Sequence, residues 1–155
     1  MSFQISEITS DADFVELVEV EFASFESPPS GFRNLFYPIL GTGPEAHQTA
    51  IHEAADRILR GHKSTAGSHW VKAVDTLSGR LVGAALWIFF ESDPYTGKSP
   101  PEAAWWPEGE GREFATRWWR ELMKPRIKYM SRRHACQSAP IYFISIDIVE
   151  HGCQV

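Results

Sequence analysis

The chain has too little cysteine for a disulfide framework: two residues in 155. A stapled secreted scaffold is thereby excluded, and a reducing compartment is the expected setting. It also lacks a long apolar run. The longest, Leu81 to Phe90, is about half of what a membrane-spanning helix requires. There is no excess of positive charge, since 15 Lys and Arg face 20 Asp and Glu for a net of −5. A non-specific nucleic-acid or acidic-membrane binder needs a basic surface to neutralise phosphate, so neither partner is expected. The first residues, MSFQISEITSDADF, are acidic and carry no apolar stretch of the kind a secretion signal needs. Glycine and proline, 11 and 10 residues, recur without a period, which removes collagen and coiled coil. At 43% hydrophobic and 13% aromatic, the composition is also far from that of a disordered chain. These absences point to one soluble domain over 1–155, in the cytoplasm or, as the alternative, the nucleus.

What is present reads as alternating elements. Phe3, Ile5 and Ile8 suggest a first strand. Ser10 with Asp11 and Asp13 reads as an N-cap and acidic first turn. Phe14, Val15, Val18, Phe22 and Phe25 then share a helical stripe. A short second turn spans Asn34 to Leu40, and Pro44 opens another helix. That helix carries Ala50, Ile51, Ala54, Ala55, Ile58 and Leu59, with Gly61 expected to end it. His69–Asp75 and Leu81–Phe90 read as an antiparallel hairpin around Gly79. The second of these strands is apolar on both faces and belongs in mid-sheet, with Trp87 expected to be buried between sheet and helix. A long Pro- and Gly-rich loop, 91–111, holds Tyr95, Trp105 and Trp106. A third helix bears Phe114, Ala115, Trp118, Trp119, Leu122 and Met123, with a stop or kink expected at Pro125. Ile141 to Val149 alternates as a last strand. The order β-α-α-β-β-α-β describes an α/β (α+β) domain whose mixed, mainly antiparallel sheet is flanked by helices.

Trp70-Val71-Lys72-Ala73-Val74-Asp75, then Ser78-Gly79, then Val82-Gly83-Ala84-Ala85-Leu86-Trp87 form a W-x-K-x-x-D, turn, V-G-A-A-x-W hairpin. With the N-terminal β-α-α unit, Trp106-Pro107, the aromatic third helix and the final strand, the chain resembles the fungal branch of the GNAT superfamily of N-acetyltransferases. The resemblance implies acetyl-CoA as co-substrate, no metal, and an acceptor that is a small amine or a protein amine. It implies further that the backbone of Ile146, Asp147 and Ile148 pairs with the pantetheine arm as an added strand would.

In that superfamily the strand is followed by a turn of the form Q/R-x-x-G-x-G/A opening a helix, whose N–H groups hold the pyrophosphate. Here Glu150-His151-Gly152-Cys153-Gln154-Val155 stands in its place, with one glycine. The expectation is a GNAT-like but truncated domain whose 155-residue form binds acetyl-CoA poorly and self-associates through an exposed sheet edge. A catalytically inactive interaction module is the alternative.

Acetyl transfer needs a base for the acceptor amine. The resemblance implies a carboxylate near the end of the central strands, acting directly or through water, and Glu91, Asp147 and Glu150 stand there. Solvated strand ends are the alternative for Glu91 and Glu150. Asp147 falls with Phe143 and Ser145 on one face of the alternation, which is either the cleft or the wet side of an edge strand. Tyr95, Trp105 and Trp106 either line an acceptor pocket or plug the core. The basic run from Lys124 to Arg133 either attracts CoA phosphates or forms a solvated helix end. His134-x-Cys136 and His151-x-Cys153 have one residue between would-be ligands, whereas structural zinc sites favour two or more. No metal is assigned to them.

Overall fold

The computed structural model describes residues 2–26, 31–90, 102–133 and 145–148. They fall into two compact units, one drawn from 2–26, 39–89 and 145–148, the other from 31–38, 90 and 102–133.

The first unit is built on the hairpin. Strand β2 (Ser68–Asp75) and strand β3 (Leu81–Ile88) pair antiparallel, with Trp70 opposite Leu86 and Lys72 opposite Ala84. The register shifts between Ala73 and Val74. Gly79 turns the chain at φ +70°, a conformation that glycine adopts without steric cost. Strand β1 (Phe3–Glu7) pairs antiparallel with β2, and β4 (Ser145–Ile148) pairs antiparallel with β3, giving the order β1-β2-β3-β4. The two hairpin strands therefore occupy the centre, as the two-sided apolar character of β3 required. Each pairing among the described strands is antiparallel, so the parallel component of a mixed sheet is not found among them.

Helix α1 (Asp13–Ser24) and helix α3 (Pro44–Ser64) pack on each other and on the sheet, α1 against β3 and α3 against β2. Their apolar stripes supply the core, Phe14, Leu17, Val18 and Phe22 from α1 and Ala50, Ile51, Ala54 and Ala55 from α3. The small side chains of α3 let the two helices approach closely, while α1 contributes volume. Ile8, just past β1, is buried and donates its N–H to the Trp70 carbonyl at 2.8 Å. Phe3 and Ile5 remain exposed.

Several boundaries differ from expectation for identifiable reasons. Ser10 precedes the helix by a turn. Its hydroxyl accepts from the Ala12 N–H, and its carbonyl accepts from the Asp13 N–H. Helix α3 begins at Pro44 as expected but runs through Gly61 to Ser64. A mid-helix glycine costs about 1 kcal/mol relative to alanine and forbids nothing. The required glycine is Gly67, at φ +75°, where an added Cβ would lie 2.5 Å from the Phe89 carbonyl oxygen.

The tryptophan buried against a helix is Trp70, not Trp87. Trp70 packs edge-on against Phe14 of α1, ring centroids 6.1 Å apart. Trp87 is only half-buried and stands opposite the exposed His69. A strand apolar on both faces carries no mark of which face meets the helices; the register decides it.

In the second unit, helix α2 (Arg33–Phe36) is a single turn, and helix α4 (Glu110–Arg133) is the longest element. Pro125 lies inside α4 rather than ending it. Proline deprives the Glu121 carbonyl of its helical partner. Both residues are exposed, so water can take the place of the lost donor.

The core geometry sets a ranking that denaturant unfolding can check. Trp70→Ala should destabilise by about 3–5 kcal/mol and Trp87→Ala by clearly less. An equal or reversed order would contradict this register.

Candidate functional site

The residues with candidate chemistry are distributed over both units. In the first, β4 holds Ile146, Asp147 and Ile148 at the end of the sheet order, with β3 as its neighbour among the described strands. The register sets Ile146 opposite Ala85, Asp147 opposite Ala84 and Ile148 opposite Gly83. The stretch of β3 facing this edge is thus Gly-Ala-Ala, residues that add little bulk. Glu91, Glu150 and Tyr95, like the two His-x-Cys pairs, lie outside the described residues.

The sheet that carries this edge is held by charged contacts from α1. Lys72 Nζ donates to Asp13 Oδ2 at 2.7 Å, with both side chains about four-fifths buried. Glu16 Oε1 accepts the Leu81 N–H at 3.0 Å, where β3 begins. Two carboxylates of the helix's first turn therefore hold each hairpin strand once. Partial burial keeps water from screening the Lys72–Asp13 pair as it would a surface pair. In the sequence Asp13 reads as a first-turn acid and Lys72 as part of the hairpin motif. Their partnership depends on the fold, and only their opposite charge was visible beforehand.

Other histidine contacts of this unit join elements in the same way. His69 Nδ1 lies 2.8 Å from Glu7 Oε1 across β1 and β2. His47 Nε2 lies 2.8 Å from Glu26 Oε1. His62 Nδ1 lies 3.0 Å from Ser68 Oγ at the α3–β2 junction.

The hairpin turn carries a perturbed carboxyl group. Asp75 Oδ2 accepts the Ser78 hydroxyl at 2.8 Å, and Oδ1 accepts the Leu77 N–H at 3.1 Å. The Ser78 bond first, then the Leu77 bond, hold the Asp75 carboxyl below the usual carboxylate range. A carboxyl depressed in the folded state adds stability that is present above its unfolded value. That contribution is lost as pH falls through the folded value.

In the second unit Trp105 and Trp106 are half-buried, and both indole N–H groups donate to the Leu35 carbonyl, at 2.7 and 3.0 Å. Trp105 stacks on Phe36 and meets Trp119 edge-on, with centroids 6.4 and 5.9 Å apart. Trp106 lies so close to Gly111 that an added Cβ there would be 2.8 Å from the ring. Ala103, fully buried, donates its N–H to Thr116 Oγ1 at 2.9 Å. The loop is thereby tied to α4 through backbone groups, which composition could not indicate. Trp119 Nε1 is buried and has no acceptor among the described residues. Chemically the cluster offers aromatic faces and, among the described residues, an N–H donor without an acceptor.

Among the described residues, no group of three or more His, Cys, Asp or Glu is placed to hold a metal ion. No described helix is long and apolar enough to cross a membrane. Compared with protein families, curated proteins and solved structures, the chain matches none of them.

Two substitutions test these contacts. Ser78→Ala should raise the Asp75 pKa toward the ordinary range in a carboxyl NMR titration; an unchanged value would contradict the assigned cause. Thr116→Val leaves the buried Ala103 N–H unpaired and should lower stability by about 1–3 kcal/mol. Unchanged denaturant unfolding would show that this bond holds nothing.

Proposed function

We propose that the chain is an acetyltransferase-like domain of the GNAT kind, which takes an acetyl group from acetyl-CoA to a small amine or a protein amine. The observation that carries the reading is the position of β4. Its backbone stands at a sheet edge and pairs, among the described strands, with β3 alone. Such an edge offers N–H and C=O groups to an extended amide-bearing ligand, the mode by which a peptide-like arm adds to a sheet. Pantetheine is a ligand of that kind. The element order and the central hairpin add support, because they are the features on which the resemblance rests.

In this reading the acceptor amine gives up its proton to a carboxylate and attacks the thioester carbonyl carbon. The carbon–sulfur bond then breaks, and the departing thiolate takes up a proton. Asp147 is the candidate base within the described strand; Glu150 and Glu91 are the others. Attack is direct, within a ternary complex, and no covalent enzyme intermediate forms.

A second reading, a non-catalytic interaction module, draws on a different observation. Phe3 and Ile5 of β1 are 53% and 65% exposed, and apolar side chains beside an outer strand invite a partner.

A titration with two ligands separates these readings. The segment after β4 has Gly152 alone where the superfamily's turn has two small residues, so the pyrophosphate should add little. Acetyl-CoA and S-acetylpantetheine should bind weakly, within about threefold of each other, and shift the amide resonances of 145–148. No shift from either ligand at millimolar concentration would favour the interaction module. Acetyl-CoA bound a hundredfold tighter than S-acetylpantetheine would reveal a pyrophosphate site elsewhere.

A further inference from the structure

Helix α4 has an inner and an outer arc that differ in burial. Its inner arc, with Ala115, Thr116 and Met123, is buried at 2%, 7% and 7% exposure. Beside it lies an outer arc, where Phe114, Trp118, Leu122 and Tyr129 stay 46%, 45%, 39% and 56% exposed. At 100° per residue, these positions and Pro125 fall within about 80° of the helix circumference and span about 22 Å of its length. Trp118 and Phe114 already pack on one another, centroids 6.3 Å apart. The Arg117 guanidinium sits over the Phe114 ring at 5.6 Å, at the border of the stripe.

Charge says what kind of surface this is. Helix α4 carries eight Arg and Lys against three Glu, a net of +5. The whole chain is −5, so the remaining residues together carry −10. After Glu121 the helix has no acid, only Lys124, Arg126, Lys128, Arg132 and Arg133. Glu121 itself is paired with Lys124 at 2.5 Å.

We propose that the outer arc of α4 is a docking surface for an acidic amphipathic helix of a partner protein. An apolar stripe at helical spacing accepts the i, i+3, i+4 and i+7 anchors of another helix. The basic C-terminal half of the helix, after Glu121, selects a partner whose flanks are Glu and Asp. A second copy of α4 would set +5 against +5 and is disfavoured. An anionic bilayer would attract the helix but repel the acidic remainder of the chain. An acidic helix with one apolar face meets both requirements. This surface is independent of the β4 edge and of any acyl transfer.

The test uses the whole chain and a synthetic helical peptide with leucine on one face and glutamate on the others. A scrambled peptide of the same composition is the control. Calorimetry should show binding to the ordered peptide, weakened by salt and at least about tenfold tighter than to the scrambled one. Trp118→Ala should reduce it about tenfold with an unchanged circular dichroism spectrum. Lys128→Glu, which leaves the stripe intact, should reduce it as well, so the proposal does not rest on one variant's folding. Equal affinity for both peptides would overturn it. So would Trp118-dependent binding to phosphatidylserine vesicles without peptide binding, or Trp118-dependent dimerisation.

Discussion

The contact on which the first unit depends is the seating of α1 on the hairpin. Phe14 meets Trp70 edge-on, Asp13 takes the Lys72 ammonium, and Glu16 takes the Leu81 N–H. The three residues stand within the first turn of one helix, so a single docking event satisfies an aromatic face, a charge and a backbone donor. A largely buried lysine or an unpaired strand-end N–H left without these partners would carry a desolvation cost. Polar and apolar contacts here specify the same placement, and that agreement favours one fold over its alternatives.

From this seat the remaining arrangement follows. With β2 and β3 held under α1, α3 closes the core with small side chains. The outer strands β1 and β4 are left to pair with the hairpin along its two sides. Among the described strands β1 pairs with β2 alone and β4 with β3 alone, and the proposed binding of acetyl-CoA draws on that position of β4. The second unit is organised differently, around aromatic rings and two indole donors converging on the Leu35 carbonyl. There packing and hydrogen bonding fix the loop to its helix, while one side of α4 keeps its apolar residues in solvent.

How much of this was legible in the sequence differs by feature. The hairpin could be read because β3 is apolar throughout and Gly79 marks its turn; central placement is the physical consequence of two covered faces. The start of α3 could be read from Pro44. Its end could not, because Gly61 tolerates a helix, whereas Gly67 is required by its approach to Phe89, a contact distant in sequence. Pro125 suggested a break, and α4 runs on because its exposed side allows hydration. Trp87 was expected in the core and Trp70 occupies that place. Hydrophobicity alone does not distinguish the faces, but Lys72, two residues from Trp70 and facing an acidic helix start, was a usable signal. Of the candidate site, the strand bearing Asp147 was legible from its alternation. The convergence of Trp105 and Trp106 on a single carbonyl was not, since backbone acceptors leave no trace in composition.

If α1 and the hairpin form one cooperative piece, they should open together. Native-state hydrogen exchange, resolved residue by residue, measures this most directly. The slowest amides of α1, β2 and β3 should share one opening free energy equal to that of global unfolding. Amides of α1 that exchange through a distinctly lower-energy opening while β2 and β3 stay protected would contradict the account.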